Sequence, residues 1–154
     1  MDAPVLGAIL TSNQYQIARA IEMVENTSHQ RIGVLGLSFK PATDDVRESP
    51  TIALIETLIG RGYDVSVYDE VVDPEKLIGV NRDFLERAIP HIALHMRHSL
   101  EEVLREAEVV VIANGSSSFS HVPELLRSDQ ILIDLVGVAK EHENMEGYYE
   151  GICW

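Results

Sequence analysis

The sequence predicts an α/β fold, a doubly wound parallel sheet of about five strands that is preceded by a long N-terminal helix. Short apolar runs of the kind found in buried parallel strands alternate with segments of helical periodicity, and this alternation is typical of β-α-β units. A chain of 154 residues with 45% hydrophobic residues is also long enough to bury a core without disulfide bonds. We therefore expect one α/β domain.

The N-terminal segment lies outside this alternation. Between about residues 5 and 25, apolar residues recur on one helical stripe that Asn13 interrupts, namely Leu6, Ile9, Leu10, Ile17, Ile21 and Val24. We predict a long helix here and divide the chain into residues 1–28, which lead into the domain, and residues 29–154, which form it. An exposed stripe of this kind would favour a partner, either another domain or a second copy of the chain.

The domain itself begins with a predicted strand over residues 32–37 and a helix over residues 50–61, which Gly62 ends. Further strands are predicted at about 64–68, 92–96, 108–113 and 131–135, and further helices near 73–77, 82–88, 99–106 and 122–127. This order is that of a Rossmann-like sheet. Its ligand site is expected beyond the carboxyl ends of the strands, at the topological switch point.

Composition excludes several classes of partner. The formal net charge of −13 argues against nucleic acid and against an anionic membrane surface, since both need a basic face. A single cysteine, Cys153, excludes an internal disulfide and a cysteine-based zinc site. No apolar run approaches the ~20 residues of a spanning helix, and the N-terminus lacks the basic start of a signal peptide. We therefore expect a cytoplasmic location.

The candidate binding site is the polar loop over residues 36–50, between the first strand and its helix. Ser49 is predicted as the helix N-cap and Pro50 as the first helical residue. Lys40 and Arg47 lie in this loop beside a helix N-terminus, which favours a phosphate-bearing ligand. In the alternative interpretation these cations only solvate an exposed turn and pair with its acidic residues, Asp44, Asp45 and Glu48.

Other residues near the predicted strand ends are weaker candidates for ligand binding. Gly33 and Gly36 form G-x-x-G, so the dinucleotide fingerprint fails. Asp69 ends the second strand, where an acid can bind a ribose hydroxyl or have a structural role. The segment over residues 114–120 could donate hydrogen bonds to a ligand or be a plain flexible loop.

Histidine and cysteine side chains are further candidates for functional groups. His91, His95 and His98 are close in sequence, but a strand would direct them to different faces, so no metal site is predicted. Cys153 beside Trp154 has no basic neighbour to stabilise a thiolate, which favours a packed tail.

The polar loop also carries a family resemblance. Its residues Phe39-Lys40, Thr43-Asp44-Asp45, Arg47 and Ser49-Pro50 resemble the motif that opens the C-terminal domain of the UDP-glucose/GDP-mannose dehydrogenases. The resemblance covers essentially the whole chain and is strongest to the GDP-mannose 6-dehydrogenase branch. It extends over Gly60-Arg-Gly-Tyr-Asp-Val-Ser-Val-Tyr-Asp69, Val109-Val-Val-Ile-Ala-Asn-Gly115, Asp134-Leu-Val-Gly137 and Gly151-Ile-Cys-Trp154.

The resemblance implies roles for individual residues. Phe39 and Lys40 are expected to bind the nucleotide-sugar substrate, and Arg47 to contact NAD held mainly by another domain. Asp44 and Asp45 are expected to fix the loop through turn and cation contacts. No catalytic residue is assigned, because family members use a cysteine in a Gly-Gly-Ser-Cys-type motif that this chain lacks.

The same resemblance implies the wider context. Family members oxidise the sugar C6 alcohol to a carboxylate in two NAD-dependent steps, and their N-terminal NAD-binding domain carries a glycine fingerprint that is absent here. We therefore expect the chain to be a fragment that is inactive alone. Its expected partners are the nucleotide sugar, the missing NAD-binding domain and a second copy of the chain joined through the N-terminal helix.

Three alternatives concern the substrate and the class of protein. The Asp134-Leu-Val-Gly137 turn lacks the arginine that relatives acting on UDP-glucose often carry, which favours GDP-mannose over a UDP-sugar. A stand-alone, non-catalytic nucleotide-binding module uses the same fold. A receiver domain needs acids at the end of the first strand and an aspartate at the end of the third. It is disfavoured because the first strand ends here in Gly-Leu-Ser-Phe and the third in His95-Met96.

Overall fold

Among the residues that the structure describes, five parallel strands form a single central sheet. The computed structural model describes residues 4–38, 40, 44–47, 49–73, 75–76, 79–139, 145 and 147–151, with side chains from residue 14 onward. The strand order is β2-β1-β3-β4-β5. The strands are β1 (Arg31–Leu35), β2 (Asp64–Tyr68), β3 (Val109–Ile112), β4 (Ile131–Asp134) and β5 (Tyr148–Gly151).

The strands at the centre of the sheet are apolar because helices cover both of their faces. All four residues of β3 are buried. Val109 and Val111 contribute to one apolar core, whereas Val110 and Ile112 contribute to the other. Alternate side chains of a strand point to opposite faces, so this division confirms the doubly wound α/β fold that the apolar runs predict.

The two cores involve different helices. The helices are α1 (Pro4–Asn26), α2 (Pro50–Gly60), α3 (Gly79–Ala88), α4 (Leu100–Glu106) and α5 (Val122–Leu125). One core contains buried residues of α1, α2 and α3, and the other contains buried residues of α4 and α5. No helix within the described residues has the length and apolarity needed to cross a bilayer.

Helix α1 has the predicted extent, but its C-terminal turns belong to the core of the domain. Ile21 and Val24 are 7% and 0% exposed, and Ile17 is partly buried against the same core. This part of the predicted stripe is therefore covered by the domain itself and is not an exposed surface. The side chains of Leu6, Ile9 and Leu10 lie outside the described residues.

Helix α2 ends as its sequence predicts. Gly62 has a left-handed backbone, with a φ of 89°. Its N–H donates to the Ile59 carbonyl at 2.9 Å, and the Tyr63 N–H donates to the Leu58 carbonyl at 3.1 Å. This pair of bonds is a Schellman motif, for which glycine is favoured because it has no Cβ.

The strand predicted at residues 92–96 is wrong. Ile92–Leu94 is a 3-10 turn, which begins after His91 in a left-handed conformation with a φ of 62°. Leu94 is 77% exposed, and Met96 alone forms an isolated parallel bridge to Val67 on the open edge of β2. The alternation of Ile92, Leu94 and Met96 misled the prediction, because a short apolar run cannot be distinguished from a helical turn by periodicity alone.

The fifth strand instead comes from the C-terminal part of the chain. Strand β5 pairs in parallel with β4, with Tyr148 opposite Ile131. Its short Tyr-Tyr-Glu-Gly sequence has little apolar alternation, so the sequence did not predict it. The helix predicted near 73–77 is a turn at Glu75 and Lys76, and the residues around this turn are only partly described.

A buried amide holds the C-terminal end of α4 against the start of β4. Gln130 is 1% exposed, and its Nε2 donates to the carbonyl oxygens of Leu104 at 2.6 Å and Ala107 at 2.8 Å. Its Oε1 accepts from the Arg127 backbone N–H at 2.8 Å. The last carbonyls of a helix lack partners within the helix, and Gln130 supplies two of these bonds.

Replacing Gln130 by alanine is expected to lower the free energy of unfolding by about 1 to 3 kcal/mol, because the Arg127 backbone N–H loses its acceptor and the carbonyls of Leu104 and Ala107 keep only their bonds from the Arg127 guanidinium. Urea denaturation followed by circular dichroism measures the change. Asp129→Ala is the matched control, since the neighbouring side chain of Asp129 is 72% exposed and its loss should cost within about 0.5 kcal/mol. Equal unfolding midpoints for the two variants would contradict the structural role of Gln130.

Candidate functional site

The strand order creates a topological switch point between β1 and β3. From β1 the chain crosses to β2 on one side, and it returns to β3 on the other side. Ligands of doubly wound sheets bind outside the carboxyl ends of the strands at such a point. The candidate site is therefore built from the segments that follow β1, β2 and β3.

Asp69 connects the segment after β2 to the segment after β1. It is 8% exposed, and its Oδ2 accepts hydrogen bonds from the backbone N–H groups of Leu37 at 2.7 Å and Ser38 at 3.3 Å. Its Oδ1 accepts from Val71 and Val72, both at 2.9 Å. The sequence left open whether Asp69 binds a ribose hydroxyl or has a structural role. The observed contacts to backbone N–H groups correspond to the structural role.

Two buried serines hold the loop after β1. The Ser38 hydroxyl donates to the Lys40 carbonyl at 2.9 Å, and the Ser49 hydroxyl donates to the Leu37 carbonyl at 2.9 Å. Ser49 occupies the predicted N-cap position of α2 and Pro50 begins the helix, as predicted. The Ser49 side chain makes no capping bond, and its hydroxyl instead closes the loop onto the segment after β1.

Gly36 allows β1 and β3 to end in close contact. It has a φ of 94°, and a Cβ atom added to it would lie 2.5 Å from Cγ of Asn114. Asn114 is 4% exposed and its Nδ2 donates to the Ser38 hydroxyl at 3.4 Å. These two residues are 76 positions apart in the chain, so their pairing could not be found from local sequence.

Lys40 is exposed beyond these anchored residues. Its backbone carbonyl is held by Ser38, whereas its ammonium takes part in none of the ion pairs among the described residues. Helix α2 begins at Pro50 after the same loop, and a helix N-terminus favours anions. Phe39, the second predicted substrate-binding residue, lies outside the described residues.

Arg47 is held by Asp45 in the second half of the loop. The guanidinium donates from Nε to Oδ1 and from Nη2 to Oδ2, both at 2.9 Å. The Arg47 backbone N–H also donates to Asp45 Oδ1 at 3.1 Å. This bidentate arrangement fixes the plane of the guanidinium, and it is the cation contact predicted for Asp45.

The Arg47 hydrogen bonds lower the pKa of Asp45 to about 2. Replacing Arg47 by alanine is expected to raise that pKa toward its ordinary value of 3.8, because the side-chain donor and the cation are lost. Carbon-13 NMR titration of the Asp45 carboxyl group measures the change. With Arg47 present, the folded-state pKa is depressed, so the stabilisation from this pair is complete above pH 3.8 and decreases as the pH falls toward 2.

The matched control for this titration is Lys40→Met. It removes a second cation of the same loop that does not contribute to the low pKa of Asp45. The Asp45 titration should stay as in the parent chain. An Asp45 pKa that shifts equally in both variants would show that the general charge of the loop, rather than the Arg47 hydrogen bonds, determines the titration.

The segment after β3 is packed against the site. Ser116 is 4% exposed, and its hydroxyl donates to the Glu70 carboxylate and also contacts the Ser118 hydroxyl. Phe119 is 1% exposed, and its ring lies edge-on to that of Tyr68. These contacts contradict a plain flexible loop, and they place Glu70 as an acid at the end of β2 that the sequence interpretation missed.

The turn after β4 is organised by a second buried carboxylate. Asp134 is 0% exposed, and it accepts backbone hydrogen bonds from Val136 at 3.1 Å, Gly137 at 2.8 Å and Ala139 at 2.9 Å. The turn presents Val136, which is 37% exposed, at the carboxyl edge of the sheet. The turn thus offers an apolar side chain where the family resemblance places an arginine for UDP-glucose.

The three clustered histidines have separate environments. His91 precedes the 3-10 turn, and His95 Nδ1 lies 2.9 Å from the Val65 carbonyl oxygen. Within the described ranges, no group of three or more His, Cys, Asp or Glu side chains is arranged to hold a metal ion. Cys153 and Trp154 lie outside those ranges.

The sheet order and the anchored polar loop at its switch point define the class of the protein, a Rossmann-like domain. The model of the UDP binding domain of the UDP-glucose/GDP-mannose dehydrogenase family matches residues 33–141. The chain belongs to this family, as the motifs of the polar loop predicted.

Curated relatives extend the similarity over the whole chain. The GDP-mannose 6-dehydrogenase of Pseudomonas syringae pv. tomato is 36% identical over 154 residues, which are 100% of this chain and 35% of that protein. The GDP-mannose 6-dehydrogenase of Azotobacter vinelandii is 34% identical with the same two shares. The chain thus spans about a third of the length of these relatives.

Solved structures show the same relationship. A ternary complex of GDP-mannose dehydrogenase from Pseudomonas aeruginosa has a TM-score of 0.82 at 37% identity, over 99% of this chain and 35% of that one. A UDP-glucose dehydrogenase from Pyrobaculum islandicum has a TM-score of 0.73 at 28% identity, over 96% of this chain and 32% of that one.

Proposed function

We propose that the chain is the nucleotide-sugar-binding domain of an NAD-dependent GDP-mannose 6-dehydrogenase, which converts GDP-mannose to GDP-mannuronate by a two-step oxidation. The observation that carries this proposal is the similarity of the whole chain to several proteins named GDP-mannose 6-dehydrogenase, at 34% to 37% identity. Residues 29–154 form the binding domain in this proposal. Residues 1–28 are the end of the helix that connects it to the rest of the enzyme.

The geometry of the switch point supports binding of a diphosphate. Lys40 offers an exposed ammonium on a loop whose backbone is anchored by Asp69, Ser38 and Ser49. A compact ammonium suits phosphate oxygens, and the N-terminus of α2 adds partial positive charge. Because the chain carries a formal net charge of −13, this local arrangement must attract the anion against the overall field.

The cofactor and the assembly follow from the same proposal. Arg47 would meet the pyrophosphate of NAD that another domain binds, with Asp45 holding its guanidinium in one plane. The bound NAD would accept the hydride in each oxidation step. A homodimer formed through α1 remains a prediction from the family resemblance, and a cytoplasmic location remains a prediction from the composition.

A second candidate is the same domain of a UDP-sugar 6-dehydrogenase. It is favoured by the family model, which describes a UDP binding domain, and by the UDP-glucose 6-dehydrogenase of Drosophila melanogaster, which is 39% identical over 75 residues. Val136 in the turn after β4 argues for GDP-mannose, because the family resemblance leads us to expect an arginine in this turn in enzymes that act on UDP-glucose.

Titration of the chain with GDP-mannose and with UDP-glucose, followed by nitrogen-15 NMR, tests the proposal. We expect the backbone amide signals of residues 36–38, 40 and 114–116 to shift on addition of GDP-mannose, and tighter binding of GDP-mannose than of UDP-glucose. Equal affinities would remove the basis for choosing GDP-mannose. A chain that binds neither compound would contradict the function as a nucleotide-sugar-binding domain.

The chain alone is expected to produce no NADH from GDP-mannose and NAD. The reason is that it contains neither the glycine fingerprint of an NAD-binding domain nor the family's cysteine motif. Absorbance at the wavelength of NADH measures turnover. A rate of NADH formation above that of the heat-denatured chain would contradict the prediction that this domain is inactive alone.

A further inference from the structure

Asp69 has a carboxylate whose acceptor sites are all used within the protein. An ionised carboxylate has about four lone-pair sites. Oδ2 accepts from Leu37 and Ser38, and Oδ1 accepts from Val71 and Val72. A ribose hydroxyl could bind to this carboxylate only by replacing one of these four bonds. Asp69 therefore acts on its surroundings through the backbone that it holds.

That backbone leads directly to Lys40. Ser38 is 2% exposed, and its backbone N–H donates to Asp69. The Ser38 hydroxyl donates in turn to the Lys40 carbonyl at 2.9 Å. Asn114 donates to the same hydroxyl from the end of β3. The exposed Lys40 is thus connected to the buried Asp69 by consecutive hydrogen bonds through a single residue.

We propose that Asp69 is a positioning residue of the nucleotide-sugar site, and that it holds the loop after β1 so that Lys40 meets the diphosphate. This inference rests on the proposed function, because it assigns the diphosphate to Lys40. It gives the acid at the end of β2 a different role from ribose binding. The carboxylate organises the loop that binds the ligand and does not itself bind the ligand.

A double-mutant cycle with Lys40→Met tests the connection. Asp69→Asn keeps one acceptor oxygen and presents an amide donor where the other oxygen lay, facing backbone N–H groups. We expect it to weaken GDP-mannose binding by about tenfold in the parent chain and by less than about twofold in the Lys40→Met chain. The affinities come from isothermal titration calorimetry or, where weak, from NMR titration.

Ser38→Ala is a second variant that leaves Asp69 intact. It removes the hydrogen bond to the Lys40 carbonyl, so it should weaken binding severalfold and also lose its effect in the Lys40→Met chain. This variant decides the question if Asp69→Asn does not fold. Gln130→Ala is the control for general destabilisation, because its bonds lie at the other end of the strands. It should leave the affinity unchanged.

Hydrogen exchange of the chain without ligand gives an independent measurement. In Asp69→Asn, one of the two amide pairs, either Leu37 and Ser38 or Val71 and Val72, should exchange faster by about tenfold or more relative to the amides of β3, because asparagine keeps only one acceptor oxygen. In Gln130→Ala this ratio should stay as in the parent chain. Unchanged exchange at all four of these amides in Asp69→Asn would overturn the proposed anchoring.

The affinity results separate the two proposals. The parent chain could bind GDP-mannose while Asp69→Asn lowers the affinity by the same factor whether residue 40 is lysine or methionine. This result would overturn the positioning role of Asp69 and leave the proposed function standing. An unchanged affinity in folded Asp69→Asn would do the same. A parent chain that binds neither GDP-mannose nor UDP-glucose would contradict the proposed function, and the positioning role with it.

Discussion

Gly36→Ala is expected to lower the free energy of unfolding by about 3 kcal/mol. A residue with a Cβ in the left-handed region costs about 1 to 2 kcal/mol, and overpacking a tight contact costs a further 1 to 3 kcal/mol or so. Both costs apply at Gly36, whose φ is 94° and whose added Cβ would lie 2.5 Å from Cγ and 2.7 Å from Nδ2 of Asn114. Urea denaturation measures the change.

Gly62→Ala is the matched control for this prediction. Gly62 has nearly the same φ, 89°, but an added Cβ would meet nothing within 4 Å. It should therefore cost only the backbone contribution of about 1 to 2 kcal/mol. Equal losses for the two glycines would show that Asn114 moves aside freely. The packing of β1 against the segment after β3 would then not depend on the absence of a side chain at residue 36.

Lys40→Met is expected to weaken binding of GDP-mannose by about 10- to 100-fold. A hydrogen bond to a charged group contributes roughly 1.5 to 3 kcal/mol, and 1.4 kcal/mol corresponds to a factor of ten. Methionine keeps much of the length and apolar character of the lysine stem and removes only the ammonium. Because Lys40 is exposed, the stability of the fold should change by less than about 0.5 kcal/mol.

Lys76→Met is the control for the loss of one positive charge. Lys76 is 84% exposed on the segment after β2, where its ammonium pairs with Asp73 at 2.7 Å. It should leave the affinity for GDP-mannose within about twofold of the parent, since the ammonium is already paired with Asp73 and an exposed ion pair contributes little. If the two lysine variants weaken binding equally, the ligand responds to the overall charge and Lys40 is not the contact.

The fold could be predicted largely from local patterns. The apolar runs that became β1, β3 and β4 are nearly continuous because both faces of a parallel sheet are buried, and this pattern survives in the sequence. The end of α2 at Gly62 was also predictable, because the left-handed position favours glycine. The failure at residues 92–96 arose where a short apolar alternation lies on an open sheet edge.

The candidate site was predicted in part. The motif of the polar loop predicts Lys40 and Arg47 as binding residues, and the observed contact between Asp45 and Arg47 was predictable because it lies within three residues of chain. The roles of Asp69 and Asn114 could not be predicted in the same way. Their partners Leu37 and Ser38 are 32 and 76 positions away, and no local spacing encodes such a contact.

The sequence by itself determined the α/β class, the family and the loop that carries the cations, because these depend on periodicity, composition and local motifs. Only the tertiary structure decided which polar residues are available to a ligand. Parallel strands bring distant segments to one edge, and there the backbone N–H groups of Leu37 and Ser38 occupy the carboxylate of Asp69. Asp69 ends a strand where an acid can bind ribose, but burial and hydrogen bonding direct its carboxylate to the backbone of the loop. Lys40 remains exposed at the edge of the sheet.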